Sequence, residues 1–73
     1  METKEKPKTY YFPNLRAEMA RNGDRFEDVA KVLDISVPSL HRRLSNEISF
    51  DVEEIDLLCK RYNVPFEILF AKE

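Results

Sequence analysis

Apolar residues in this chain recur at intervals of three and four positions, and no stretch alternates between apolar and polar residues with a period of two. Intervals of three and four place side chains on one face of an α-helix, whereas an alternating pattern is typical of a half-buried strand. The sequence therefore predicts an all-α fold. The predicted core consists of the residues on these helical faces: Leu15, Met19, Val29, Ala30, Leu33, Leu40, Leu44, Ile55, Leu58, Tyr62, Leu69 and Phe70.

Capping residues divide the apolar pattern into five short helices. Asn14 is predicted to cap the first helix, and Gly23 is predicted to end it, because glycine readily adopts a positive φ. Asp24 and Glu27 have the spacing of a capping box at the start of the second helix. Ser36 is predicted to cap the third helix, where a proline in the first turn is tolerated.

The ends of the later helices are marked in the same way. Asp51 and Glu54 form a second capping box, at the start of the fourth helix. Asn46 is predicted to end the third helix in a left-handed backbone conformation, and Asn63 is predicted to end the fourth helix. Pro65 is predicted to open a short fifth helix. The result is a compact arrangement of five helices with short connections.

The length of the chain sets the domain organisation. A chain of 73 residues is one small domain, and a domain of this size buries only about 60% of the surface that its unfolded chain exposes. Residues 1–9 are polar and contain three lysines and a proline, so we predict a flexible arm that precedes a single domain over residues 10–73. Cys59 is the only cysteine, which excludes an internal disulfide and fits a reducing compartment, so the expected location is cytoplasmic.

The second and third predicted helices are separated by a very short turn, Asp34-Ile35-Ser36, which is the spacing of a helix-turn-helix. Three further segments lie at matching distances from this turn: Glu27-Asp28-Val29-Ala30, Leu40-His41-Arg42-Arg43-Leu44 and Asn63-Val64-Pro65-Phe66-Glu67-Ile68-Leu69-Phe70. Taken in this order, residues 14–70 resemble the Cro/C1-type (XRE-like) helix-turn-helix family of phage repressors and related transcriptional regulators.

The resemblance implies sequence-specific binding of double-stranded DNA by a transcription regulator of phage or mobile-element origin. In such proteins the third helix, here about residues 36–45, lies in the major groove. The resemblance assigns base contacts to Val37, Ser39 and Arg42. It assigns contacts with the DNA backbone to Arg25, Ser36, His41 and Arg43.

Among the positions that depart from the family pattern, two lack a side-chain hydrogen-bond donor. Phe26 stands where the family often has a glutamine that donates to a phosphate, and Pro38 stands where a polar residue is common. The formal net charge is −2, and residues 51–73 hold six acidic but only three basic side chains. These features support a second hypothesis, in which the helix-turn-helix scaffold is a protein–protein interaction module with weak or no DNA binding.

The sequence gives no indication of an enzyme. It contains no glycine-rich phosphate loop, no metal-ligand cluster and no nucleophile–base pair at a telling spacing, so no catalytic residue, cofactor, metal or small-molecule substrate is expected. No apolar run is long enough to cross a membrane, and no membrane partner is expected. The last two helices hold more apolar residues than their interior needs, which predicts a homodimer surface: Val64, Pro65, Phe66, Ile68 and Phe70.

Overall fold

The computed structural model of the chain describes residues 11–72, so the predicted arm over residues 1–9 and Tyr10 lie outside the described residues. Between residues 11 and 72 the chain forms five α-helices and no strand, which confirms the predicted all-α, five-helix fold. None of the helices in this range is long and apolar enough to cross a membrane. The helices are α1 (Pro13–Arg21), α2 (Phe26–Leu33), α3 (Val37–Leu44), α4 (Val52–Tyr62) and α5 (Phe66–Leu69).

One hydrophobic core joins the five helices. Every predicted core residue is buried except Ile55, which is only partly buried. The inward positions of α4 are instead Glu54, Leu58 and Tyr62, at intervals of four, so Ile55 lies at the edge of that face. Phe12, which directly precedes α1, completes the core.

α1 begins two residues earlier than predicted. Phe12 occupies the capping position and Pro13 the first helical position, where the missing N–H of proline has no intrahelical acceptor to lose. The prediction that Asn14 caps this helix is therefore wrong. The Asn14 side chain donates instead from Nδ2 to the carbonyl oxygen of Ile68 at 2.9 Å, which ties the start of α1 to α5.

α2 begins one residue later than the predicted capping box requires. Arg25 is the capping residue, and its backbone N–H donates to Asp28 Oδ2 at 2.9 Å. The predicted Asp24–Glu27 box is wrong, because the carboxylate of Asp24 is directed to α4 instead. An acid three positions after the cap still accepts the backbone N–H of the capping residue.

The remaining predicted caps are confirmed. At the start of α3, Ser36 Oγ accepts the backbone N–H of Ser39 at 3.2 Å. At the start of α4, Asp51 Oδ1 accepts the N–H of Glu54 at 2.8 Å, and Glu54 Oε1 accepts the N–H of Asp51 at 3.1 Å. The backbone has a positive φ at the four residues that follow helix ends: Gly23, Asp34, Asn46 and Asn63.

A cluster of three side chains fastens the turn before α2 to the end of α4. Arg61 donates from Nε and Nη2 to the two carboxylate oxygens of Asp24 at 2.9 and 2.8 Å, and the Tyr62 hydroxyl donates to Asp24 Oδ2 at 2.6 Å. The hydrogen bonds from Arg61 hold the pKa of Asp24 below its ordinary value. Burial raises the pKa of Tyr62 above its ordinary value, which is already well above neutral pH, so its hydroxyl is a donor under physiological conditions.

Asp24→Asn should destabilise the fold at neutral pH and make its stability less sensitive to acid. Because the folded-state pKa of Asp24 is lowered, the ionised carboxylate stabilises the fold above its ordinary pKa of 3.8, and this contribution is lost as the pH falls through the folded-state pKa. We expect a loss of about 1–2 kcal/mol at pH 7, since the partly exposed Arg61 is screened by water. Urea unfolding at pH 7 and at about pH 3 measures both effects. An equal difference between the variant and the wild type at both pH values would contradict this assignment.

Candidate nucleic-acid interface

α2 and α3 pack against each other across a turn of three residues. Asp34 adopts the left-handed conformation that ends α2, and the N–H of Ile35 donates to the carbonyl oxygen of Ala30 at 3.0 Å. The side chain of Ile35 is partly buried and packs against the core. The turn is therefore held at both its backbone and its side chain, and it fixes the orientation of α3 on α2.

The outer face of α3 is centred on Arg42. Successive residues of a helix are rotated by about 100°, so Arg42 lies roughly opposite the buried side chains of Leu40 and Leu44. Arg42 is exposed and makes no ion pair with a carboxylate within residues 11–72. Pro38, which is exposed, and Ser39, which is half-buried, flank it on the same face.

The start of α3 offers less side-chain surface than its outer face. Val37 occupies the first helical position and is half-buried, because it packs against the core. Ser36 is exposed, and its hydroxyl oxygen already accepts the N–H of Ser39. Of the three residues predicted to contact bases, Arg42 is therefore the exposed one, while Val37 and Ser39 are half-buried.

Arg43, which is predicted to contact the DNA backbone, forms an ion pair with Glu54 of α4. Its Nε donates to Glu54 Oε1 at 2.9 Å, and its Nη1 donates to the carbonyl oxygen of Ser39 at 3.3 Å. The side chains of Arg43 and Glu54 are only 16% and 9% exposed. A phosphate that bound Arg43 would have to displace this carboxylate.

An aromatic cluster that the sequence did not reveal occupies the junction of α1, α2 and α3. The rings of Phe26 and His41 lie 4.4 Å apart between centroids, and the guanidinium carbon of Arg16 lies 4.8 Å from the centroid of Phe26. An arginine over an aromatic face is attracted to the ring electrons. Phe26 thus links three helices and contacts the ring of His41, at the position where the Cro/C1-type family often has a glutamine. The unusual residue type at Phe26 was the only signal of this cluster in the sequence.

Arg25 lies at the N-terminus of α2 with its side chain 74% exposed. Its Nε is 3.7 Å from Asp28 Oδ2, which is a loose surface ion pair, and such pairs contribute little. The guanidinium of Arg25 therefore remains accessible beside the first turn of α2. This is the position at which the sequence predicted a phosphate contact.

A comparison with protein-family models identifies the domain type. The model of the BetR domain matches residues 14–73, which is most of the chain. The chain belongs to the BetR domain family. BetR is a small helical domain associated with transcription regulators. Comparisons of this BetR domain with curated proteins and with solved structures found no match. The narrower resemblance to the Cro/C1-type family stays a prediction.

The BetR domain also has an apolar groove of about 180 Å³ between α5 and the loop that precedes α4. The groove is lined by four phenylalanines and Ile55, with a polar rim, and its residues are Phe12, Asn46, Ser49, Phe50, Ile55, Phe66, Phe70 and Lys72. Among the residues predicted for a homodimer surface, Phe66 and Ile68 are each 54% exposed, and Pro65 is also exposed. Phe70 is buried and Val64 is half-buried.

Two other side-chain features of the BetR domain bear on its chemistry. Cys59 is half-buried on α4, and burial raises the pKa of its thiol, so the nucleophilic thiolate is disfavoured at neutral pH. Within residues 11–72, no three His, Cys, Asp or Glu side chains come together in a group that could hold a metal ion.

Proposed function

We propose that this BetR domain binds double-stranded DNA sequence-specifically and acts as a transcription regulator, with α3 in the major groove. The observation that carries the proposal is Arg42, which is exposed at the centre of the outer face of α3 and has no ion-pair partner within residues 11–72. The association of BetR domains with transcription regulators supports the same function. The resemblance to Cro/C1-type repressors extends the proposal to a phage or mobile-element origin.

In this proposal Arg42 is the residue that reads the bases. Its guanidinium presents several N–H donors in one plane, which match the O6 and N7 acceptors that guanine displays in the major groove. Ser39 lies on the same side of α3, and its short side chain offers a hydroxyl group close to the helix backbone. Val37, at the first turn, supplies a methyl surface for the methyl group of a thymine.

Contacts with phosphates would place α3 in its register on the duplex. Arg25 stands at the N-terminus of α2, where free backbone N–H groups and the helix dipole favour an anion. Ser36 lies at the start of α3, and His41 lies beside Phe26. The two residues stand on either side of the outer face. Such contacts orient the protein and supply much of its affinity, but they carry no sequence information directly.

A binding selection from random duplex DNA tests this function. The bound duplexes should share a recurring sequence, and the domain should bind that sequence about 10³-fold or more tightly than a scrambled duplex at physiological salt. If the pool contains no common sequence and the domain does not bind duplex DNA even at low salt, the proposal fails. The protein–protein interaction module would then be the better hypothesis.

We further propose that the DNA-bound form is a homodimer joined through α4 and α5. A single reading helix contacts few base pairs, and dimeric helix-turn-helix proteins read two half-sites about 34–36 Å apart. Phe66 and Ile68 supply exposed apolar surface on a helix of only four residues. The double variant Phe66→Ser/Ile68→Ser should therefore sediment as a monomer at concentrations where the wild type is dimeric, with its helical content retained. Sedimentation of the wild type as a monomer, both free and on the selected DNA, would contradict the dimer.

A further inference from the structure

We propose that Glu54 is a positioning residue that withholds Arg43 from DNA phosphates and thereby lowers non-specific binding, an inference that rests on the proposed DNA-binding function. Arg42 and Arg43 are adjacent on α3, yet their side chains have different environments. Arg42 is exposed on the outer face, whereas Arg43 pairs with a carboxylate of α4. Of the two arginines, only Arg42 would then contact the duplex.

Arg43 lies on the flank of the outer face of α3. At about 100° per residue, it is displaced by roughly 40° from Ser39 and by roughly 100° from Arg42 around the helix axis. An extended arginine side chain at that position could reach the DNA backbone beside the groove. In the structure the side chain bends towards α4 instead, where Nε donates to Glu54 Oε1 at 2.9 Å and only 16% of the side chain is exposed.

Glu54 is held in place by contacts other than the one with Arg43. Its Oε1 accepts the backbone N–H of Asp51 at 3.1 Å in the capping box of α4, and the residue as a whole is 7% exposed. Salt screens an ion pair with so little exposure much less than a surface pair. Moving Arg43 to a phosphate would leave the Glu54 carboxylate buried without its cation, which is strongly unfavourable. A phosphate therefore competes poorly for Arg43.

The expected consequence is weaker electrostatic binding to every duplex, with the ratio of affinities between sequences unchanged. Non-specific binding to DNA comes from the neutralisation of phosphates by cations, so each withheld cation weakens all sequences alike. The base contact proposed for Arg42 is unaffected by the Arg43–Glu54 pair. The pair thus lowers the affinity for selected and scrambled DNA alike, and it leaves the proposed base contact of Arg42 in place.

Glu54→Gln tests the inference directly. The amide oxygen of glutamine can still accept the N–H of Asp51, but the charge that holds Arg43 is removed. The slope of log affinity against log salt on scrambled duplex should steepen by about 0.9, so the affinity should fall about 3.5-fold more than that of the wild type between about 50 and 200 mM salt. Glu53→Gln is the matched control, because Glu53 is exposed on the same helix and its substitution changes the net charge equally.

Arg43→Gln supplies the second arm of the experiment, and its amide can still donate to Glu54. Alone it should leave the salt slope unchanged, and combined with Glu54→Gln it should restore the wild-type slope. If the slope in Arg43→Gln alone is shallower than that of the wild type by about 0.9, the inference is overturned. Arg43 would then contact a phosphate in the wild-type complex. If Glu54→Gln fails to fold by circular dichroism, this arm still decides whether Arg43 contacts a phosphate in the wild-type complex, and a contact would overturn the inference. An unchanged slope in folded Glu54→Gln would also overturn it, whereas the absence of any wild-type binding to duplex DNA would overturn the proposed function itself.

Discussion

Leu40→Ala should lower the free energy of unfolding by about 2–5 kcal/mol. Leu40 is completely buried in α3, one turn before the equally buried Leu44. Truncation removes apolar atoms from the core and leaves a cavity, and the neighbouring helices can fill that cavity only in part. Native domains are typically stable by about 5–15 kcal/mol, so a loss of this size is a large part of the total stability.

Urea unfolding followed by circular dichroism measures this loss. The midpoint should fall while the slope of free energy against urea stays constant, which identifies a change in stability rather than in the denatured state. Val52→Ala is the matched control, because Val52 is 81% exposed on α4, and its substitution should change stability by no more than about 0.5 kcal/mol. A cost for Leu40→Ala below about 0.5 kcal/mol would place Leu40 at the surface and shift the register of α3.

Arg42→Ala should weaken binding to the selected DNA site by about 1–3 kcal/mol and relax the preference at one base pair. The reason is that Arg42 is exposed at the centre of the outer face of α3, while the neighbouring Pro38 has no side-chain donor. Arg42 would then supply most of the directional hydrogen bonding to the bases. Titrations with the selected site, with single-base variants of it and with scrambled duplex measure the affinity and the preference together.

Arg25→Ala is the control for Arg42→Ala, because it tests a phosphate contact instead of a base contact. Arg25 is proposed to contact phosphate alone, so its loss should weaken all duplexes alike and reduce the salt slope by about one. Arg42→Ala should instead weaken the selected site more than the scrambled duplex. If Arg42→Ala changes neither the affinity nor the preference, α3 does not read the groove, and a protein–protein interaction module becomes the better hypothesis.

The helices, the turn and the core could be predicted from the sequence because each depends on residues that are close together in the chain. The turn at Asp34 and the Ser36 cap are local patterns of this kind. Capping residues were misassigned where a distant partner decided the outcome. Asp24 looks like a cap in sequence, but its carboxylate pairs with Arg61, 37 positions away, and Asn14 donates to Ile68 of α5.

The candidate site was predictable to the level of a helix face and no further. Leu40 and Leu44 determine which side of α3 is buried, so the exposure of Arg42 follows from spacing. No local pattern distinguishes Arg42 from the adjacent Arg43, because the partner of Arg43 comes from another helix. The contacts of Phe26 were equally hidden, since they require the relative placement of three helices.

The ion pairs of this domain also affect the rate at which it would associate with DNA. Ion pairs join acidic and basic side chains within residues 11–72: Glu18–Arg21, Asp28–Arg25, Glu54–Arg43, Asp56–Lys60 and Asp24–Arg61. Paired charges largely cancel, the formal net charge is −2, and salt screens exposed charges over about 8 Å at physiological ionic strength, so little attraction reaches a distant polyanion. Encounter would then proceed at ordinary docking rates of about 10⁵–10⁷ M⁻¹s⁻¹ instead of the 10⁸–10⁹ M⁻¹s⁻¹ of electrostatic steering. The lifetime of the complex, rather than the speed of its formation, would distinguish an operator from the rest of the genome.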